Sequence, residues 1–381
     1  MAAQFHWKSG LEKKNYQKAA DIRIKRRYLA GAVLLGVTLI VQLMARNGDG
    51  FGEWYAVHIY PLLVWGIGGA FGAFPFSVVE IGLYGFVIFG VGYGVLCLRE
   101  GIRENIWRGL NRIGAGAVLV LGVLGFLYTV NCGINYYRVP FSSYLDLDLG
   151  GFSQKELEEL CMRLKGELEA AAEAVVKEYG GIVPDSKISR GFPEQAREDM
   201  RRLADQYPQL SVHYPRPKPV AVSKILSLQS LSGVYSPFTI EANYNQDMTA
   251  YNIPHTACHE LSHLTGFMRE EEANFIGYLA CVGSESVYSR YSGYALGFIY
   301  ANNALFRQNP QLASRLHDSL PQEVKEDFEK NNEFWKRYEG KISEASTKVN
   351  DTYLKANSQT EGVKSYGRMV DLMLAYYKNI D

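Results

Sequence analysis

The chain has 381 residues, and its 40 basic and 40 acidic side chains give a formal net charge of zero. This balance offers no electrostatic attraction for nucleic acid, so no nucleic-acid partner is expected. The five cysteines are odd in number and include no CxxC pair, which argues against a disulfide scaffold. Long apolar runs with few charged residues in the first third of the chain predict a membrane protein instead.

Three of these runs are long enough to cross a bilayer as helices. They are residues 28–45, 78–98 and 112–132. Between the first two, residues 55–74 are apolar but broken by His58, Pro61 and several glycines. This segment is predicted to be a re-entrant or interfacial element, and a fourth span is the alternative. Glu80, near a helix end, is expected to snorkel or to pair with a loop arginine.

Basic residues are concentrated before the first span and after the second. Because positive segments favour the cytoplasmic side, three spans fit best. This predicts a multi-pass protein of the cell membrane, with the lipid bilayer as a partner. The predicted parts are a basic cytoplasmic N-terminus at 1–27, a transmembrane region at 28–137 and an extracytoplasmic domain at 138–381. A fourth span would place that domain in the cytoplasm.

The C-terminal domain has mostly helical patterns. Residues 153–179 form the clearest helix, from a Ser cap to a Gly-Gly stop, and residues 193–207 form another. Val234–Asn243 is the best candidate strand, and Pro237 restricts it to a sheet edge. The predicted fold is mainly α with a small β-sheet, an α+β domain that follows an α-helical transmembrane region.

The segment His259-Glu260-Leu261-Ser262-His263 is the most informative part of this domain. Side chains four residues apart on a helix lie on one face, so one zinc ion can bind both imidazoles. Glu260, one position after the first histidine, is placed to take a proton from a zinc-bound water. The alternative interpretation is a solvated amphipathic helix with a chance histidine pair.

A third ligand is expected among Glu270, Glu271 and Glu272, which open the next predicted helix after a helix stop at Gly266. Steps of three and four from Glu270 lead to small residues, which would allow this helix to pack closely on the histidine helix. Glu270 is therefore favoured as the ligand. Glu271 and Glu272 are then expected to be surface or salt-bridge residues, and Asn274 could orient a ligand by a hydrogen bond.

HEXXH followed by Glu-x-x-Ala-Asn resembles the zincin metallopeptidases with a glutamate ligand, such as the heat-shock membrane protease and the prenyl-protein endopeptidase. The chain is also similar to a bacterial family of multi-spanning membrane proteins that carries a domain of unknown function. The residues that carry this second resemblance are Gly233 to Asn243, the metal motif with Glu270 to Asn274, Tyr353-Leu354-Lys355 and Ser365-Tyr366-Gly367. The chain departs from the proteases at Asn274, where they have an acidic residue.

A zinc peptidase often needs a donor for the developing oxyanion. Tyr366, Arg368, Tyr353 and His255 are candidates by residue type, and none is distinguished by its spacing. The family resemblance singles out Tyr366.

These observations predict a membrane-anchored zinc metalloendopeptidase that acts on a peptide or protein substrate. His259, His263 and Glu270 would hold Zn²⁺, and Glu260 would be the catalytic base. The alternative is a membrane receptor or assembly protein that uses a zincin-like domain to bind peptides without cutting them. A transport protein with an incidental motif is disfavoured, because the spans contain almost no paired polar residues.

Overall fold

Helices dominate the computed structural model, and a single small sheet accompanies them. The predicted fold class, mainly α with a small β-sheet after N-terminal apolar helices, is confirmed. The residues that the structure describes are 2–103, 105–181, 186–357, 359, 361–362 and 368–380. The chain divides into two compact units, residues 1–48 with 81–134 and residues 49–80 with 135–381.

The elements follow one another along the chain in this order. The helices are α1 (Ala2–Asn47), α2 (Phe51–His58), α3 (Tyr60–Leu63), α4 (Gly69–Gly72), α5 (Val78–Arg103), α6 (Ile106–Asn131), α7 (Phe141–Tyr144), α8 (Gln154–Tyr179), α9 (Ser186–Gln206), α10 (Lys224–Leu228), α11 (Asn252–Leu264), α12 (Glu270–Val282), α13 (Val287–Phe306), α14 (Pro310–Asp318), α15 (Gln322–Lys336), α16 (Lys341–Ala356) and α17 (Met369–Ile380). The strands are β1 (Lys218–Val220), β2 (Gly233–Ser236) and β3 (Glu241–Asn245). A π-helical turn, Val64–Gly68, joins α3 to α4.

The first unit consists of α1, α6 and most of α5. Three stretches in these helices, Gln17–Asn47, Val78–Arg103 and Ile106–Asn131, are long and apolar enough to cross a membrane. Helices α1 and α6 approach closely at Gly31, where a Cβ would lie 2.6 Å from a backbone oxygen of α6. The three predicted apolar helices are thus present, and no other helix in the described ranges meets the same length and hydropathy criteria.

The sheet belongs to the second unit and has β3 in the middle. β1 runs parallel to β3, and β2 runs antiparallel to it, so β2 is an edge strand. The predicted single strand Val234–Asn243 is wrong in its extent, because a turn divides it into β2 and β3. Pro237 lies in this turn, which Ile240 completes with a φ of 50°. Because Pro237 lies outside β2, every residue of this edge strand has a backbone N–H group.

Two buried carboxylates connect the start of α5 to the sheet. Glu241 accepts hydrogen bonds of 3.1 and 2.9 Å from the first two backbone N–H groups of α5, and it also binds the buried Lys218 ammonium. In the opposite direction, the carboxylate of Glu80 on α5 accepts hydrogen bonds of 2.8 Å from the N–H groups of residues 221 and 222, just beyond β1. The expected snorkelling of Glu80 is therefore wrong, since its carboxylate is buried and satisfies backbone donors of the sheet region.

The central pair of the second unit is α11 and α12. Gly266, with a φ of 92°, ends the turn after α11 as predicted, and α12 then runs back along it. The two helices meet at Gly277, where a Cβ would lie 3.0 Å from the backbone nitrogen of His259. The predicted close approach along the small face of α12 is confirmed. It places the N-terminus of α12 beside the histidines.

We expect Gly277→Val to lower the free energy of unfolding by about 1–3 kcal/mol, because the new side chain would push α12 away from α11. Gly166→Ala on α8 is the matched control, since Gly166 is exposed and no heavy atom lies within 4 Å of its Cβ position. It should raise stability by about 0.5–1 kcal/mol through helix propensity alone. Denaturant unfolding of the full chain in detergent, followed by near-UV circular dichroism, measures both. Unchanged stability in Gly277→Val would contradict the close contact.

Candidate metal centre

The two histidines of the motif lie on one face of α11 with their rings together. The ring centroids of His259 and His263 are 4.8 Å apart, and the ring planes are nearly perpendicular. Both side chains are about nine-tenths buried, at 12% and 8% exposed. The i, i+4 spacing on a buried helix is the cause of this arrangement.

Glu270, the first residue of α12, completes a three-residue cluster. Its Oε2 lies 3.3 Å from Nε2 of His259 and 3.9 Å from Nε2 of His263. One potential ligand atom from each residue lies within 4.8 Å of the other two. Ligand atoms on a tetrahedral zinc ion are about 3.3 Å apart, since zinc–nitrogen and zinc–oxygen distances are about 2.0–2.2 Å. The donor set therefore fits zinc in type and nearly in spacing.

The hydrogen bonds around the histidines favour Nε2 as the ligand atom. Nδ1 of His263 lies 2.9 Å from the carbonyl oxygen of Phe267, which assigns the ring proton to Nδ1 and leaves the Nε2 lone pair directed at Glu270. Burial lowers the pKa of His263 to about 4, so its imidazole is neutral at pH 7. A neutral imidazole is the form that binds a metal.

His259 is held differently. Burial lowers its pKa, but a hydrogen bond to the Glu270 carboxylate, the charges of Glu260 and Glu270, and the Asn274 side chain outweigh burial and raise the pKa of His259 overall. Its Nδ1 has no hydrogen bond of good geometry within the described residues, and neither does Nδ2 of Asn274. Asn274 is thus close to His259, and the ligand-orienting hydrogen bond expected of it stays a prediction.

Glu260 lies beside the cluster. Its side chain is buried against the edge strand, where a Cβ at Gly233 would be 2.4 Å from Oε1, and the backbone N–H of Tyr235 donates to the carboxylate. Burial raises the pKa of Glu260 to about 8. Oε2 has no hydrogen-bond partner among the described groups, so it is available to exchange a proton.

The outer edge of β2 lies next to Glu260, to which the Tyr235 N–H donates. Asn245 N–H donates to the carbonyl of Ser232 at 2.8 Å, and Val234 lies opposite Asn243 in the ladder. Hydrogen-bonded and non-hydrogen-bonded pairs alternate in an antiparallel ladder, so Gly233 and Tyr235 direct their backbone groups away from β3. An extended peptide could pair with this edge.

The remaining glutamates of the run have structural roles. Glu272 is buried, accepts a hydrogen bond of 2.8 Å from the N–H of Phe141, and pairs with Arg269 at 3.6 Å. Burial raises its pKa to about 7. Glu271 accepts a hydrogen bond of 2.8 Å from Gln359. Of the two expected environments, surface or salt bridge, Glu272 has the salt bridge, in a buried position.

Three of the four predicted oxyanion donors lie in the described part of the chain. Tyr353 hydrogen-bonds Tyr136, and Arg368 is exposed. His255 is buried one turn before His259, where its ring nitrogen lies 3.2 Å from the Asn274 carbonyl, and burial lowers its pKa to about 3. Tyr366 lies outside the described residues, so its predicted role stays a prediction.

Sequence reasoning missed two tyrosines at the site. Tyr300, on α13, is close enough for its hydroxyl to interact with Asn274 and Glu270, and burial raises its pKa to about 12. Tyr60, at the start of α3, places its hydroxyl 2.8 Å from that of Tyr235 and 3.5 Å from the carbonyl of His263. With 26 tyrosines in the chain, no spacing pattern distinguishes either of them.

The chain is thus a mainly helical protein with three apolar helices of membrane-spanning length and a buried His-His-Glu cluster. It belongs to the family described as "Protein of unknown function (DUF3810)", which matches residues 55–374. No curated protein and no solved structure matches the chain. The predicted membership of a domain-of-unknown-function family is confirmed, whereas the resemblance to zincin peptidases stays a prediction.

Proposed function

We propose that this protein is a membrane-anchored, zinc-dependent metallopeptidase. The observation that carries the proposal is the cluster of His259, His263 and Glu270 with the buried Glu260 beside it and the outer edge of β2 next to Glu260. These are the parts that hydrolysis of a peptide bond requires: a metal site, a base and a surface that aligns an extended chain.

In this proposal His259, His263 and Glu270 hold the zinc ion. When bound, zinc would supply Lewis acidity, which lowers the pKa of water and polarises a carbonyl group. Glu260 would accept a proton at Oε2 and later deliver it to the leaving amine, and its raised pKa of about 8 suits a group that must do both near neutral pH. Its carboxylate is packed against Gly233 and accepts a hydrogen bond from the Tyr235 N–H, which hold it beside the cluster.

Substrate would be aligned by the outer edge of β2. The backbone groups of Gly233 are directed away from β3 and can pair with a peptide in an extended conformation, which sets its carbonyl groups in register with the cluster. Tyr300, close to Glu270 and Asn274, is a residue of the right type to donate to a developing oxyanion.

A non-hydrolytic peptide receptor is the second candidate. It is favoured by Asn274, which cannot supply the charge of the acidic residue that the resembling proteases have there, and by the lack of a well-formed hydrogen bond at Nδ1 of His259. Such a protein would still use the β2 edge to bind an extended segment. The two candidates differ in what Glu260 does.

The apolar helices support a multi-pass membrane protein. We propose that the N-terminus and the α5–α6 loop are cytoplasmic, since both are rich in basic residues, and that the second unit is extracytoplasmic. The grouping of residues 49–80 with 135–381 supports three spans, because the stretch between α1 and α5 belongs to the same compact unit as the metal cluster.

The full-length protein, purified in detergent, should contain about one zinc ion per chain. Loss of a hydrogen bond that supports a ligand typically weakens metal affinity by roughly 10- to 100-fold. We expect a larger loss of zinc affinity from either His263→Ala or Glu270→Ala, because each removes a ligand. Glu272→Gln is the matched control, because it keeps an acceptor for Phe141 and should keep zinc. Elemental analysis combined with competition by a chelator measures these effects. Equal loss in Glu272→Gln, or no zinc in the wild type, would contradict the proposed ligands.

Glu260→Gln should keep zinc and the fold but slow hydrolysis by about 100- to 10,000-fold, because the amide cannot take the proton. A peptide library incubated with the full chain in nanodiscs, and analysed by mass spectrometry, gives the rates. Glu285→Gln, on an exposed ion pair with Arg202, is the control and should cleave normally. If zinc-loaded wild type binds peptides but cuts none, the receptor takes the place of the peptidase.

Topology can be tested with a membrane-impermeant thiol reagent, because all five native cysteines are buried and the wild type should not react. Gly151→Cys, in an exposed loop of the second unit, should be labelled from outside in intact spheroplasts. Arg103→Cys, at the exposed end of α5, should be labelled only after lysis. The opposite pattern would place the metal cluster in the cytoplasm.

A further inference from the structure

The segment from Phe51 to Phe76 has its apolar side facing outward. Every fourth residue of its inner side is buried: Gly52, Ala56, Tyr60, Val64 and Gly68. The outer face carries Trp54, Val57, Leu62, Trp65, Phe74 and Phe76, which are between 44% and 72% exposed. A helix at a water surface has the opposite pattern, with polar residues outside. Six exposed apolar side chains in one short segment need a non-aqueous partner.

The segment contains no lysine or arginine, and its one carboxylate, that of Glu53, is directed inward. This carboxylate accepts a hydrogen bond of 3.0 Å from the N–H of Val139 and pairs with the buried Arg138 at 3.5 Å. The exposed His58 stacks on Trp54, and its Nδ1 lies 2.9 Å from the Trp54 carbonyl oxygen. The outer face therefore carries no carboxylate, lysine or arginine that would select a charged protein partner.

The inner side of the segment packs directly on the second unit. A Cβ at Gly52 would be 2.4 Å from the carbonyl oxygen of Tyr137, and one at Gly72 would be 2.8 Å from Pro215. Tyr60 reaches the hydroxyl of Tyr235 on the edge strand. This segment is thus fixed to the β2 edge on one side and exposes the outer face on the other.

We propose that the outer face lies in the headgroup and upper acyl region of the bilayer, so that Phe51–Phe76 is an interfacial anchor. The chain leaves an apolar helix of membrane-spanning length at Asn47 and enters another at Val78, so both ends of the segment are held at a membrane surface. Tryptophan is enriched at this depth. The inner side of the segment packs on the second unit at both of its ends, at Gly52 and at Gly72, so this amphipathic segment lies along that unit and does not cross the bilayer as a span.

If the anchor lies at the bilayer surface, it also defines a class of substrate for the peptidase. This inference about substrates rests on the proposed function. Tyr60 belongs to the anchor and contacts both Tyr235 and the carbonyl of His263. A single side chain therefore connects the anchor to β2 and to the histidine helix. The substrates that the site reaches are then extended peptide segments at the bilayer surface, such as the membrane-proximal parts of membrane proteins.

Depth-resolved fluorescence quenching tests the anchor independently of zinc or hydrolysis. Bulk membrane association is uninformative, since the apolar helices would keep any variant in the membrane. The full chain with Trp65 as its sole tryptophan, obtained by replacing Trp7, Trp54, Trp107 and Trp335 with Phe, is reconstituted with phosphatidylcholine brominated either near the headgroup or near the chain ends. We expect Trp65 emission to be quenched strongly by the shallow bromines and less by the deep ones.

The matched control keeps Trp335, on α15 of the second unit, as the sole tryptophan and should not be quenched by either lipid. If the fourfold replacement fails to fold, the difference in quenching between the wild type and Trp65→Phe gives the same information. Stronger quenching by deep bromines would overturn the proposal in favour of a buried span. Absence of quenching would also overturn it, and disulfide-linked dimers of Trp65→Cys would then identify a second copy of the chain as the cover.

Discussion

The contact of α12 with α11 at Gly277 is the constraint on which the metal cluster depends. Residue 277 meets the backbone of His259 itself, so any side chain there would separate the two helices. With the helices in contact, the turn at Gly266 brings Glu270 to within 3.3 Å of the histidine ring. The two ligand helices thus hold the cluster by backbone contact rather than by flexible side chains, which is the arrangement that a preorganised site requires.

A second layer of buried polar contacts holds the surroundings of that cluster. Arg138 donates a hydrogen bond of 2.8 Å to the carbonyl of Thr265 and lies 3.8 Å over the ring of Phe267, so it fixes the turn whose carbonyl binds His263. Glu272, on α12, accepts a hydrogen bond from the backbone N–H of Phe141. These residues contribute no ligand atoms. Their role is to keep the donors of the cluster in place, and truncating one partner would leave a buried charge unpaired.

The sequence predicted the parts whose signals are local. Helix α8 begins after Ser153 with a capping box and ends at Gly180, because caps and stops depend on neighbouring residues. The choice of Glu270 over its neighbours followed from helix periodicity, and the structure brings Glu270, and not Glu272, to the histidines. Tyr300 and Tyr60 could not be predicted, because they reach the site through tertiary packing from distant elements. The β2–β3 turn was missed because a left-handed Ile240 has no sequence signal.

The position of residues 49–80 sets the order in which the protein can assemble. This stretch leaves the ribosome before α5 and α6, yet its packing partners, such as Pro215 and Tyr235, come after both helices. The second unit can therefore close only after α5 and α6 have been made. Folding of the half that contains the His-His-Glu cluster in this way depends on contacts between distant parts of the chain, and contacts that span so many residues close slowly. A fragment that begins at residue 138 would lack Tyr60 and expose the surface that it covers.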